Sequence, residues 1–314
     1  KEGAAMNRKK NIEGLPFYKS KVFLIVLAAV VVLCGVGILW LRLAGYRRFS
    51  VKYLNTLDAK EETLSFTGFL LQDGTVKKGR IFSDTGSAEV VYNGDGTYTM
   101  TYSNGDLYVG ELDGLQRQGQ GKLTYKTGDV YEGGFQNDKF HGEGTFTYAG
   151  GDSYTGSFSG GKKSGYGRYV WSAENGKGAS YEGEFRNDRR NGYGVYTEPD
   201  GTVYAGNFVN DLREDDNASV CIVTAEGKID RYYGGFENDV RSGFGYYFYA
   251  NGDVYVGQFS NNNIHGTGTI YRLSGGSYTG EFEWGNIKKD QATPVPEEKA
   301  AEILSLDPTV NPLN

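Results

Sequence analysis

Few side chains in this sequence are of a kind that does chemistry. Two histidines, His141 and His265, each open a His-Gly-x-Gly tetrapeptide. Imidazole ligates metals and moves protons near neutral pH. These two, however, sit at equivalent points of a recurring pattern, with no cysteine or third ligand beside either. The run Arg213-Glu214-Asp215-Asp216-Asn217 gathers the oxygens that hard cations such as calcium prefer. It lacks the ligand spacing and central glycine of a calcium loop, so it reads as a solvated acidic turn. Cys34 and Cys221 lie in different kinds of segment and imply no disulfide framework. Gly-x-Gly recurs throughout, but between strand-like runs and never ahead of a helix, so a dinucleotide reading fails on context. No nucleophile–base arrangement stands out. The expectation is a protein without catalytic residues, cofactor, metal or small-molecule substrate.

What positions these residues is a repeat. Tyr-x-Gly-x-Phe and its variants recur from Tyr108, Tyr131, Tyr154, Tyr181, Tyr204, Tyr232, Tyr255 and Tyr278, spaced 23, 23, 27, 23, 28, 23 and 23 residues apart. In a strand alternate residues share a face. Tyr131, Gly133 and Phe135 then point one way, and Gly142, Gly144, Phe146 and Tyr148 share a face on the return strand. Glycine weakens a strand unless something must approach its backbone, so each ring is expected to lie over a glycine of a neighbouring strand. Gly-Asp and Asn-Gly pairs supply the turns. A hairpin of this kind cannot bury its rings alone, and neighbours must stack.

The Tyr-x-Gly-x-Phe…His-Gly-x-Gly pattern over residues 66–286 resembles the MORN repeat family. The resemblance implies an all-β fold: an elongated single-sheet solenoid of antiparallel β-hairpin repeats. MORN arrays in junctophilins, phosphatidylinositol-phosphate kinases and proteins with SET-type methyltransferase domains serve membrane apposition, self-association or partner binding. No kinase or methyltransferase signature accompanies the array here. Fold transfers between such proteins more safely than function.

Composition agrees with a repeat protein. Of 314 residues, 48 are glycine and 25 tyrosine, and the net charge of -6 gives no basic footprint for nucleic acid. Ahead of the array, Val22–Leu41 runs 20 residues without a charge. At 1.5 Å per residue this matches a bilayer core of roughly 30 Å, so 22–41 is expected to be a single-pass transmembrane helix. The basic tail 1–21 favours a cytoplasmic N-terminus with the repeats extracytoplasmic; the alternative places the repeats in the cytoplasm. Phe49, Tyr53 and Leu57 recur at helical spacing, predicting a juxtamembrane helix or stalk over 42–65. Residues 66–107 read as degenerate capping hairpins, 108–286 as the array of some 16–19 strands in all, and 287–314 as a tail with a short helix capping the last strand.

Two surfaces remain. On the face opposite the rings, repeats one and two carry polar residues such as Gln120, Lys122 and Glu143. Later repeats carry Tyr166, Tyr193, Phe244, Tyr246, Phe248 and Tyr271. Exposed apolar patches mark interaction sites, so these six form a candidate surface for a protein partner or self-association, unless the tail helix lies across part of it. The alternative is a lipid-contacting tether, in which Lys139, Lys162, Lys163, Arg189, Arg190 and Arg241 line one edge of the array and meet anionic headgroups.

Overall fold

A computed structural model of the chain describes residues 32–33, 38–55, 60–174, 178–288 and 292–313. Most of the expected transmembrane segment 22–41, and the whole tail 1–21, lie outside the described residues. Among those described, no helix is long and apolar enough to cross a membrane.

Among the described residues the fold is one open antiparallel sheet of 23 strands. Strand follows strand as a meander, each paired with its sequence neighbours except at two places: Val203–Val209 pairs with both Leu212–Arg213 and Asp215–Val223, and Tyr278–Glu283 with both Asn286–Ile287 and Thr293–Pro294. At about 4.8 Å per strand the sheet runs roughly 100 Å. It begins earlier than expected. Strand β1 (Tyr46–Asn55) pairs in full register with β2 (Lys60–Leu70), where a juxtamembrane helix was predicted. The same residues carry a period-two pattern, Phe49-x-Val51-x-Tyr53, rich in β-formers. Pairing is what selects it: Phe49 packs its ring 5.3 Å from that of Phe66. The strands β2, β3 (Val76–Ser83), β4 (Gly86–Tyr92) and β5 (Tyr98–Tyr102) then occupy the degenerate region. Phe66 there does a tyrosine's work, since a Cβ on Gly79 would meet its ring at 2.6 Å.

Seven repeats follow, opened by Tyr108, Tyr131, Tyr154, Tyr181, Tyr204, Tyr232 and Tyr255, all fully buried. Repeat two shows the design. Val130–Gln136 opens it and Lys139–Thr147 returns. Asn137 and Asp138 both take positive φ, 49° and 64°, as a tight primed turn demands. Gly133 then pairs with Gly144, while Phe135 pairs with Phe140. Three return-strand residues therefore oppose Gly134 alone, forming a bulge that is possible because Gly142 sits at φ 69°. Gly142 thus leaves the ring-facing row it was expected to join. Gly144 remains in it, and a Cβ there would meet the Tyr131 ring at 2.5–2.8 Å.

Beyond the last repeat, Tyr278–Glu283 and two short segments finish the sheet. The helix α1 (Glu297–Leu304) lies in the tail as expected.

Candidate partner-binding face

Three ladders make the array rigid, and together they decide which side chains remain available. The first is aromatic. From Tyr131 on, each repeat tyrosine meets the phenylalanine of its own repeat and that of the next, edge to face, with centroids near 5 Å: Tyr181 with Phe185 and Phe208, Tyr204 with Phe208 and Phe236. Tyr108 meets Phe135 alone, because its own repeat carries Leu112 there. Each such pair adds roughly 0.5–1.5 kcal/mol beyond area burial. The hydroxyl of Tyr131 donates to the Gly134 carbonyl at 2.8 Å, and the other six repeat tyrosines do likewise three residues on. Burial away from water disfavours the phenolate, pushing Tyr131 up to about 12 and the other six higher still.

The second ladder runs along the edge of tight turns. Arg117, Arg190 and Arg213 each send the backbone N–H and Nε to the aspartate of the next repeat's turn (Asp138, Asp211, Asp239), and Nη2 to its carbonyl. Arg241 does the same to Asn262 with its N–H and Nη2. Their guanidinium groups lie over the rings, that of Arg190 4.8 Å from Phe208. Lys163 occupies the equivalent place in repeat three, over Tyr169 at 4.8 Å, and burial lowers its pKa.

The third ladder joins the opposite turns. Asp106, Asp129, Asp152, Asp230 and Asp253 each accept the N–H of a residue about twenty positions on, in the next repeat's turn.

The basic edge is therefore not a uniform row of solvated cations. Of the six lipid-contact candidates, Lys163, Arg190 and Arg241 are folded over the ring stack. Lys139 is half-buried, while Lys162 and Arg189 are exposed. Sequence reasoning grouped these six by charge and missed that alternate strand positions separate them. It also left Arg117 out, because Gly114-Leu115 forms the turn before it where four later repeats carry Asn-Asp.

The six aromatic candidates share the face opposite the ladder, as their parity required, but they divide into two sets. Tyr166, Tyr193 and Phe244 are exposed by 60, 55 and 50%. Phe248 is only 6% exposed, and Tyr246 and Tyr271 pack around the same small cluster. What covers them is the chain's own tail. Ile303, Leu304, Leu306 and Leu313 sit on Tyr233, Phe248 and Val254. The tail helix thus lies across the face instead of capping the last strand, and the candidate surface for a separate partner contracts to Tyr166, Tyr193 and Phe244. In repeats one and two the return strands are polar on the same face, with Lys122 and Glu132 paired at 3.2 Å, and the exposed apolar side chains are the aliphatic Leu107 and Val109.

The acidic insertion of repeat five binds its own backbone. Asp215 accepts from the N–H and Nδ2 of Asn207 and from the N–H of Asn217, and Glu214 accepts from the N–H of Asn238. Among the described residues no group of three or more His, Cys, Asp or Glu could hold a metal. His141 is exposed, and His265 lies against Trp284 with ring centroids 4.9 Å apart.

The arrangement defines an open, single-layer β-hairpin solenoid with one aromatic, glycine-backed face. The MORN repeat model matches it at residues 108–130, 131–153, 154–175, 181–203, 232–254 and 255–277, so the chain carries MORN repeats. Repeat five falls outside those matches, although it stacks like its neighbours. There Ala218 replaces the return-strand glycine, and a Cβ on Gly206 would stand 3.0 Å from that of Ala218. A comparison with curated proteins finds no match. Among solved structures the chain is similar to the TCP domain of Drosophila melanogaster SAS-4 (dCPAP) in complex with a proline-rich motif of Ana2 (dSTIL). That match has 13% identity and TM-score 0.32, covering 62% of this chain and 90% of the other. It is also similar to the TCP10 domain of Danio rerio CPAP in complex with a STIL peptide, at 13% identity and TM-score 0.24, covering 79% and 98%.

Proposed function

We propose that this chain is a non-enzymatic scaffold, anchored in a membrane by residues 22–41, whose second sheet face binds a protein partner through Tyr166, Tyr193 and Phe244. The observation that carries this reading is the contrast along one face. Its strands share a single backbone pattern, yet repeats one and two present Gln120 and Glu143 where repeats three, four and six present Tyr166, Tyr193 and Phe244, each at least half exposed. The fold does not require those rings, and a solvated face gains nothing from them. Tyrosine and phenylalanine are enriched at protein interfaces, where a few aromatic anchors carry most of the affinity. The three ladders fix the backbone beneath them, so binding costs little ordering of the sheet.

The experiment is affinity capture with the full chain in detergent, comparing wild type with Tyr166→Ser/Tyr193→Ser. Loss of a specific captured protein, with thermal stability retained, is the expected result. A capture profile unchanged by the double substitution overturns the reading.

The basic segment 1–21 supports a cytoplasmic N-terminus and extracytoplasmic repeats. Cysteine labelling on intact cells with an impermeant reagent checks this, using Ser274→Cys in a Cys221→Ser background, because Ser274 is exposed in the last repeat's turn. Labelling that requires lysis would place the repeats in the cytoplasm.

A further inference from the structure

The tail contact is a binding event in its own right. Helix α1 has eight residues, no side-chain N-cap bond, no basic residue in its last turn and one buried residue, Ala300. A helix shorter than about 12–15 residues is marginal alone in water, so docking must supply its order. The docking surface is prepared without it: Tyr233, Phe248 and Val254 are set by strand parity on a sheet whose ring ladder lies on the other side. Polar contacts then fix the run of turns after the helix. Tyr233 donates its hydroxyl to the Pro308 carbonyl at 2.8 Å, and Asn217 donates Nδ2 to the Leu313 carbonyl at 3.3 Å. Asn311 Nδ2 in turn donates to Asn217 Oδ1 at 3.2 Å. A short amphipathic helix laid on an apolar strip, read through a few aliphatic anchors, is a recurring mode of peptide recognition.

We propose that the strip formed by Tyr233, Tyr246, Phe248, Val254 and Tyr271 is a groove for a short amphipathic helix with adjacent branched aliphatics, and that residues 296–313 are its displaceable resident. The occupant that replaces the tail is a helix of the same chemistry on another protein. This rests on the partner-binding reading above and deepens it. Phe244, exposed beside the groove with its ring 5.7 Å from that of Tyr246, continues the covered strip toward open surface. Resident and incoming helices therefore compete for one continuous face. The tethered tail acts at an effective concentration on the order of millimolar, so it masks the groove against all but well-matched or abundant competitors. Releasing it should raise the apparent affinity for a competing helix on the order of ten- to a hundredfold.

The test uses the full chain and a labelled synthetic peptide with the sequence of residues 293–313, read by fluorescence anisotropy. Ile303→Asp/Leu304→Asp frees the tail while leaving the groove intact. This variant should bind the peptide at least tenfold more tightly than wild type, and a peptide carrying the same two aspartates should not bind. Equal affinity of variant and wild type, or equal binding of both peptides, overturns the proposal. Hydrogen exchange on the wild-type chain gives a second reading that does not depend on the variant folding. Excess peptide should strip protection from the amides of residues 300–306, and unchanged protection overturns displacement. A wild-type chain that runs as a tail-exchanged dimer would make a second copy the occupant and overturn the foreign-partner assignment. Tyr166 and Tyr193 are untouched throughout, so failure here and failure of the capture experiment are separately visible.

Discussion

Arg190 and Asp211 stand in successive repeats and bind each other through backbone and side chain together. The Arg190 N–H reaches Asp211 Oδ1 at 2.9 Å, Nη2 reaches the Asp211 carbonyl at 2.7 Å, and the Asp211 N–H returns to the Arg190 carbonyl at 3.0 Å. The same guanidinium lies over Tyr181, Tyr196 and Phe208. One side chain thus closes the ring stack and fixes the spacing between hairpins, a task that would otherwise need a second layer of structure.

Arg190→Ala is accordingly expected to cost about 1–3 kcal/mol through lost cation–π contact and orphaned acceptors. Arg189→Ala, one residue earlier and exposed, should stay within about 0.5 kcal/mol. Chemical denaturation of the two variants checks this, and equal midpoints would mean that charge at the turn, not the ladder, is what matters.

Glycine positions offer a sharper comparison. Gly144→Val drives a side chain into the Tyr131 ring, which is fully buried and cannot retreat, so a loss of about 1–3 kcal/mol is expected. Glu132→Val, on the other face, should cost far less. Gly142→Ala meets open space but must hold φ near 69°, a cost of roughly 1 kcal/mol. Melting temperatures ordered otherwise would refute the assignment of faces.

Much of this was legible in the sequence. The period, the hairpin, the ring-over-glycine packing and the parity of Tyr166 and Tyr193 follow from alternation and spacing alone. Two things were not. Residues 46–55 satisfy helical and strand periodicities together, and only the presence of β2 as a partner decides between them. The coverage of Phe248 by Ile303 and Leu304 joins segments with no local signal linking them, so the sequence offers it only as an alternative to a free face. Arg190 and Arg189 look alike in sequence, and strand parity sends one over the core and the other to solvent.

Alkaline pH should unfold the array cooperatively. Each repeat tyrosine has a folded pKa raised above the ordinary value near 10, so the fold holds protons that the unfolded chain has lost. Its contribution is intact below about pH 10 and falls as pH climbs toward 12 and beyond. At about 1.4 kcal/mol per pH unit for each tyrosine, seven acting together exhaust a typical stability within roughly one to two units above pH 10. Circular dichroism and tyrosinate absorbance should therefore change together. Gradual ionisation of all tyrosines with the sheet intact would contradict the buried ladder.

The most direct test of the partner face is site-specific photocrosslinking in the native membrane. A benzophenone amino acid replaces Tyr193 in one full-length chain and Glu143, its polar counterpart in repeat two, in another. The account predicts a discrete adduct with a foreign protein from position 193 and none from position 143. Absence of any adduct at 193, or the same adducts from both positions, would contradict it.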